Sequence, residues 1–274
     1  MEFKPLLNRR ELLKYTKRAL KSLGLRPSKK LGQHFLIDPR GVRLFLDCLN
    51  SSNSRRFLEV GSGLGVLTIA VSQIAELVVA FEIHPKLVAF LAKLELENVQ
   101  VIRGDGVEAA SSTTIEHVYS NTPYNLSTAI LFALAKNNNI KEVTLGVQLE
   151  VAERLLAKPG LESYGRLTVV TRRVFNTKMV GVLPPEFFYP KPEVYGAVVK
   201  LERKKEWTRE DDAVEAVAKC LFTGKNKKVV KMMKKCFNIK LESSPLGEKR
   251  VRELSLEDME EILKTLDLER LLTT

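Results

Sequence analysis

Cysteine, histidine and tryptophan are scarce in this chain, with three, three and one among 274 residues. Cys48, Cys220 and Cys236 stand far apart and form no C-x-x-C pair. The pattern is that of a reduced, intracellular protein with buried or indifferent thiols. So few histidines argue against a zinc site, and no metal is expected. No apolar run approaches the roughly 20 residues needed to cross a bilayer, so no membrane association is expected. The segment from Met1 to Leu25 is basic but has no apolar stretch ending in small residues, which argues against a secretory signal. It is poor in acids, yet Arg and Ser are not enriched as in an organellar transit peptide, and a cytoplasmic location is expected. Internal repeats and low-complexity tracts are absent too.

What is present is an ordinary globular balance, 45% hydrophobic and 28% charged, enough to bury a sizeable core. The net charge of +11 is unevenly placed. Residues 1–43 carry +9 and residues 219–240 carry eight lysines and no acid, which leaves −6 for the rest. Two one-signed basic ends around a mildly acidic middle suit a surface that tracks a phosphate backbone. Charge runs of this kind also occur as solvated helix faces.

Residues 8–23 read as an amphipathic helix with Asn8 as its cap, ended by Gly24 and Pro27. Residues 38–50 read as a second helix, with Asp38 capping and Pro39 in the first turn. From residue 55 strands and helices alternate. Strands are expected at 56–60, 77–81, 99–103, 117–120 and 143–148, with helices at 66–74, 85–96, 129–135 and 150–157. Such alternation predicts a parallel sheet with helices on both faces. Two β-rich runs follow, 167–175 and 194–201, joined by a connection carrying Pro184, Pro185, Pro190 and Pro192 and no clear helix. That predicts an antiparallel, hairpin-like edge. After a charged linker at 202–210 the chain reads as purely helical, at 211–222, 227–236 and 255–267, with a domain boundary near residue 205. Ser255, with Asp258 three residues on, caps the last helix.

The first strand of the alternating region runs into Gly61-Ser-Gly-Leu-Gly65 and then a helix. Ligands of open α/β sheets bind beyond the carboxyl ends of the strands. The G-x-G-x-G spacing is not the dinucleotide pattern, and by itself such a turn serves equally to pack a helix close to a strand. Glu82 ends the second strand about 20 residues after the first glycine, where a carboxylate can accept from both hydroxyls of a ribose. Asp105 ends the third. Three consecutive strands ending this way indicate an adenosine-containing cofactor. The fourth strand decides against NAD, because it ends in Asn121-Thr-Pro-Tyr-Asn125. The side-chain oxygen of Asn121 and the carbonyl of Thr122 can accept both N–H bonds of an exocyclic amine, and Tyr124 can stack on the attached base.

With these blocks in place, the chain resembles the small-subunit ribosomal RNA adenine N6-dimethyltransferases, the bacterial KsgA type and its archaeal and eukaryotic counterparts. The resemblance spans about residues 28–260. It rests on Lys30-Leu-Gly-Gln-His-Phe-Leu36, Glu59 to Gly65, Asn121 to Asn125, Gln148 with Glu150 to Leu155, Tyr164-Gly-Arg-Leu167, and Pro184-Pro-Glu-Phe-Phe-Tyr-Pro-Lys-Pro192. It implies a class I (Rossmann-like) methyltransferase sheet of seven strands with a small helical C-terminal domain. The implied division is a basic N-terminal helical extension at 1–27, a methyltransferase domain at 28–204 and a helical RNA-binding domain at 205–274. The implied cofactor is S-adenosyl-L-methionine. Gln33, His34, Leu36, Glu59, Gly61, Gly63, Gly65, Glu82, Ile83, Asp105, Gly106 and Asn121 would surround it. Glu82 would bind its ribose, Ile83 would pack on its adenine, and Asp105 would take the adenine amino group. Asn121, Thr122, Pro123 and Tyr124 would hold the target adenine, with Phe188 as a second aromatic wall and Phe187 as the neighbouring alternative. Lys225, Lys227, Lys228, Lys231, Lys234 and Lys235 would contact RNA phosphates.

The implied reaction is dimethylation of two adjacent adenosines near the 3′ end of small-subunit rRNA, on the immature subunit and by a monomer. Rival readings are a non-catalytic RNA-binding assembly factor on the same fold, and a large-subunit methyltransferase of the macrolide-resistance type. The chain departs from the family pattern at Thr122, where an aliphatic residue is common; the clamp uses the backbone carbonyl there, so activity is expected to survive. His34 takes one of the two usual forms of its block. The helix at 8–23 lies outside the familiar bacterial core, either as an added RNA contact or as a covering helix.

Overall fold

The computed structural model describes residues 8–27, 32–121, 126–239 and 245–266. Two compact units emerge, Met1–Ala152 with Thr177–Arg203, and Glu153–Asn176 with Lys204–Thr274. In chain order the first elements are α1 (Arg9–Ser22), β1 (Phe35–Leu36), α2 (Pro39–Asn50), β2 (Arg56–Val60), α3 (Val66–Ser72), β3 (Leu77–Glu82), α4 (Pro85–Ala92) and β4 (Val99–Arg103). Then come α5 (Gly106–Ser112), β5 (His117–Asn121), α6 (Ser127–Lys136), β6 (Glu142–Gln148), α7 (Leu149–Leu156), α8 (Arg166–Val174), β7 (Phe175–Leu183), β8 (Phe188–Tyr189) and β9 (Gly196–Arg203). The chain continues through α9 (Arg209–Leu221), α10 (Val229–Phe237), α11 (Pro245–Glu248) and α12 (Leu256–Lys264).

The first unit is built on a seven-stranded sheet of order β4-β3-β2-β5-β6-β9-β7. The strands from β4 to β6 run parallel, and β9 lies antiparallel against β6, with Gly146 opposite Val198. This is the class I methyltransferase fold. The central strands are almost wholly buried, β2 from Phe57 to Val60 and β5 from His117 to Ser120, as in a sheet covered on both faces. Phe45, Leu49, Phe57, Val71, Val78 and Tyr119 lie in one buried cluster. A separate two-stranded ribbon pairs β1 with β8, Leu36 opposite Phe188.

Helix α1 covers this unit. Its Asn8 side chain caps it by accepting from the Glu11 N–H at 3.2 Å. Leu12, Thr16, Ala19 and Leu20 are buried, and the Tyr15 hydroxyl donates to the Leu64 carbonyl at 2.7 Å. The Lys86 ammonium donates to the carbonyl of Leu23 at the helix end.

The second unit holds α8, α9, α10, α11 and α12 around Val169, Val214, Val217, Leu221, Met233 and Ile262. Two expectations are corrected here. The run 167–175 is not a strand: α8 occupies 166–174 and extended backbone starts at Phe175. Its β-branched residues favour strands intrinsically, but here their hydroxyls and the tertiary packing override that. Thr168 Oγ1 donates to the Arg154 carbonyl and accepts from the Gly165 N–H, and Thr171 Oγ1 donates to the Leu167 carbonyl. Arg173 sits 5% exposed with its Nε 2.6 Å from the fully buried Asp211 carboxylate of α9, an ion pair that ties α8 to α9. The second correction concerns the thiols. Cys220 and Cys236 form a disulfide with their Cα atoms 6.1 Å apart, and Cys48 is a buried free thiol. Helices α9 and α10 fold back on each other, which brings together two residues separated by 16 positions.

Candidate active site

The chain leaves β2 toward β3 and β4 on one side and β5 toward β6 on the other, so the switch of direction lies between β2 and β5. A cavity of about 480 Å³ opens at the carboxyl ends of these strands, where ligands of open α/β sheets bind. Its size is in the range of small-molecule sites. Gln33, His34, Leu36, Glu59, Gly61, Gly63, Glu82, Ile83, Asp105, Gly106 and Asn121 all line it. Residues that span about 90 positions of sequence thus line one cavity. Thr122, Pro123 and Tyr124 lie outside the described residues.

The glycine turn is shaped by backbone that side chains disfavour. Gly61, Gly63 and Gly65 have φ of 74°, 56° and 79°, the left-handed region that glycine enters freely. A Cβ at Gly65 would also come within 2.7 Å of Leu91. Gly65 does not line the cavity among the described residues; it lets α3 start against α4. Gly106 performs a similar service at α5, where a Cβ would clash with the Val60 side chain.

Glu82 is buried, and each of its carboxylate oxygens accepts one backbone N–H, Oε2 from Gly63 at 2.8 Å and Oε1 from His84 at 2.9 Å. The side chain therefore ties the glycine turn to the end of β3, and each oxygen retains a further lone pair. Next to it Ile83 is 65% exposed, an apolar platform at the cavity wall. Asp105 caps α5 through Oδ1, which accepts from Val107 and Glu108; Oδ2 has no partner among the described residues. Glu59 is buried beneath the turn, and its Oε2 accepts from Thr68 Oγ1 at 2.6 Å and from the Tyr119 hydroxyl at 3.1 Å. Burial pushes its carboxyl up to about 7, against the lowering effect of those hydrogen bonds.

Asn121 ends β5 at the cavity edge. Its Nδ2 donates to the His34 carbonyl at 3.4 Å, and the His34 ring Nδ1 lies 2.7 Å from the Pro190 carbonyl. Its Oδ1 lies over Gly146, the directly opposed residue of β6. A Cβ there would stand 2.7 Å from Oδ1 and 2.9 Å from Phe45 Cζ. Gly146 thus makes room for the Asn121 carboxamide. The sequence reading missed it, although a glycine inside a strand does signal a close approach.

Phe188 is 3% exposed, lies in the main core cluster and is paired with Leu36. Phe187 is 7% exposed and carries the Arg40 guanidinium over its ring at 4.7 Å. Neither ring lines the cavity among the described residues. In the second unit Lys227, Lys228, Lys231, Lys234 and Lys235 are exposed, while Lys225 is half-buried and donates to the Glu162 carbonyl. Lys228 also pairs with Glu248.

One family model, that of the ribosomal RNA adenine dimethylases, matches residues 24–271 of this chain. The chain belongs to that family. It is an rRNA adenine dimethyltransferase by descent. Relatives carry the description "Probable ribosomal RNA small subunit methyltransferase A". One from Aeropyrum pernix is 43% identical over 203 residues, 73% of each chain. Another, from Pyrobaculum aerophilum, is 35% identical over 236 residues, 86% of this chain and 97% of the relative. A crystal structure of a dimethyladenosine transferase from Plasmodium falciparum shares the fold with a TM-score of 0.72 at 22% identity, over 85% of this chain and 97% of that one. The 23S rRNA methyltransferase ErmE shares it with a TM-score of 0.63 at 24% identity, over 86% of this chain and 99% of the other. Among the described residues no helix is long and apolar enough to cross a membrane, and no cluster of His, Cys, Asp and Glu is placed to hold a metal.

Proposed function

We propose that the chain dimethylates N6 of two adjacent adenosines near the 3′ end of small-subunit rRNA, using S-adenosyl-L-methionine, on the immature subunit. The single observation that carries this is the cavity itself: Glu82, Ile83 and Asp105 stand on one wall and Asn121 on its edge. The wall fits an adenosine-bearing methyl donor. Glu82 has acceptor capacity left for ribose hydroxyls, Ile83 offers exposed apolar area to a flat base, and Asp105 Oδ2 is available to an amino group. When bound, S-adenosyl-L-methionine supplies a methyl group on a sulfonium, already a good electrophile.

The protein's task is the nucleophile. The N6 lone pair of adenine is delocalised into its ring. An acceptor at each N–H favours a tetrahedral nitrogen with its lone pair directed out of the ring plane. We assign these acceptors to Asn121 Oδ1 and the carbonyl of Thr122. Their hold strengthens as the nitrogen becomes cationic, so they stabilise the transition state more than the ground state. The His34 carbonyl and the gap at Gly146 position the Asn121 carboxamide for this. Tyr124 is assigned to stack on the extruded base, which returns about 1–3 kcal/mol against the loss of its original stack. Phe188 is assigned a supporting role behind Leu36. No side chain of the motif is needed as a base, since the cationic nitrogen loses its proton to water. The lysines at 225, 227, 228, 231, 234 and 235 are assigned to phosphates, with specificity coming from RNA shape.

Labelled S-adenosyl-L-methionine offered with unmethylated small subunits, large subunits and free RNA tests this reading. Dimethyladenosine from the small subunit alone supports it. Label in the large subunit, or subunit binding without any label, overturns it.

A further inference from the structure

Helix α1 has two opposite faces. The inner one, through Leu12, Tyr15, Thr16, Ala19 and Leu20, is packed on the first unit. The outer one carries Arg10, Lys14, Lys17, Arg18 and Lys21, all exposed. At 3.6 residues per turn these five cations fall within an arc of about 100°. Glu11 is the only acid in the helix. Lys17 stands over the Tyr189 ring at 5.3 Å; Arg10, Lys14, Arg18 and Lys21 form no ion pair among the described residues. Arg10 and Lys14, Lys14 and Arg18, and Lys17 and Lys21 are like charges four positions apart, each pair destabilising an isolated helix. A merely solvated face relieves such repulsion by mixing signs, and this stripe does not.

The place of this stripe matters as much as its charge. The same helix is fixed to the cofactor cavity, because the Tyr15 hydroxyl holds the carbonyl of Leu64, which lines that cavity. Leu20 packs with Leu64 and Leu87, also lining residues. The row of cations is thus carried by a helix whose inner face packs on residues that line the methyl-transfer cavity.

We infer that the outer face of α1 is a docking surface for the phosphate backbone of the RNA substrate, separate from the lysines of the second unit. The inference rests on the reading that the substrate is RNA. The Gly61 to Gly65 turn and the outer stripe are then two sides of one device, one for the methyl donor and one for the acceptor.

The test combines Arg10→Gln, Lys14→Gln, Arg18→Gln and Lys21→Gln in one full-length variant. Its affinity for unmethylated small-subunit rRNA is followed against salt. Loss of four phosphate contacts lowers the slope of log K against log salt by about 3. The KM for small subunits should rise at least tenfold, with kcat at saturation and the affinity for S-adenosyl-L-methionine unchanged. A charge-keeping variant, Arg10→Lys with Arg18→Lys, should retain the slope. Should the quadruple variant not fold, Lys14→Gln with Lys21→Gln alone is expected to lower it by about 1.4. An unchanged slope in a folded variant overturns the inference. So does an unchanged RNA slope with lost binding to phosphatidylserine vesicles, which would make the face a membrane contact. Wild-type enzyme in the same reactions separates the two readings. A lowered slope with no dimethyladenosine from the wild type leaves the docking surface standing and sinks the catalytic reading.

Discussion

Replacing Gly146 with alanine is a sharp perturbation because it adds one carbon at a position that, among the described residues, does not line the cavity. The new Cβ would stand 2.7 Å from Asn121 Oδ1 and 2.9 Å from Phe45 Cζ, whereas ordinary contact begins near 3.4 Å. Phe45 is fully buried and cannot retreat, so the Asn121 carboxamide must move by about 0.7 Å, the difference between 3.4 and 2.7 Å. The strain lowers stability by about 1–3 kcal/mol. A misplacement near 1 Å at a reacting group lowers turnover by about a hundredfold, so a loss of tenfold to a hundredfold in kcat is expected here. Calorimetric titration with S-adenosyl-L-methionine should give an affinity within about threefold of wild type, since the Glu82 wall is untouched. Gly146→Ala with unaltered turnover would refute the positioning of Asn121 by the gap in β6. Equal loss of cofactor affinity and turnover would refute the separation of the two walls.

Other outcomes follow from the same geometry. Glu82→Gln turns one acceptor oxygen into a donor that faces a backbone N–H of Gly63 or His84, so cofactor affinity should fall about tenfold to a hundredfold; equilibrium dialysis reads this, and an unchanged affinity contradicts the role of Glu82. The Cys220–Cys236 bridge closes a loop of 16 residues, which stabilises by about 3 kcal/mol. Cys220→Ser with Cys236→Ser should lower the urea midpoint accordingly, and non-reducing denaturant should release one titratable thiol, Cys48, rather than three. Glu59, raised to about 7, keeps a proton in the folded state that the unfolded chain releases above about 4.5, so its contribution to stability is present below pH 4.5 and is lost as pH rises toward 7. His117, lowered to about 3 by burial, acts the other way, and stability falls as pH drops below about 6.5. Glu59→Gln removes the first effect alone. The difference between wild type and this variant should shift toward the variant by about 3 kcal/mol between pH 4.5 and 7, and a difference independent of pH would contradict the burial of a proton there.

The parallel half of the sheet was legible because its strands are short apolar runs ending in punctuating residues, Gly61, Glu82, Asp105 and Asn121. Helix α1 was legible from its cap and its apolar spacing, though not the hydroxyl of Tyr15 on the Leu64 carbonyl, which depends on how the helix lies. The misreading of α8 has a definite origin. Thr168, Val169, Val170 and Thr171 carry strand propensity, and only the Arg173 pairing with Asp211 and the burial of Leu167 and Val174 reveal a helix. Those partners lie far along the chain. The disulfide was hidden for a related reason: two cysteines 16 apart signal nothing until α9 and α10 fold back on each other. Gly146 was visible as a glycine in a strand, but its purpose appears only once Asn121 is seen across the register.

The most direct test of the account is Asn121→Ala, assayed for cofactor affinity and for methyl transfer in the same preparation. The proposed division of the cavity predicts an affinity for S-adenosyl-L-methionine within about threefold of wild type. It predicts that dimethyladenosine formation on small subunits falls about a hundredfold or more. Methyl transfer that survives the substitution, or cofactor binding that disappears with it, would contradict the account.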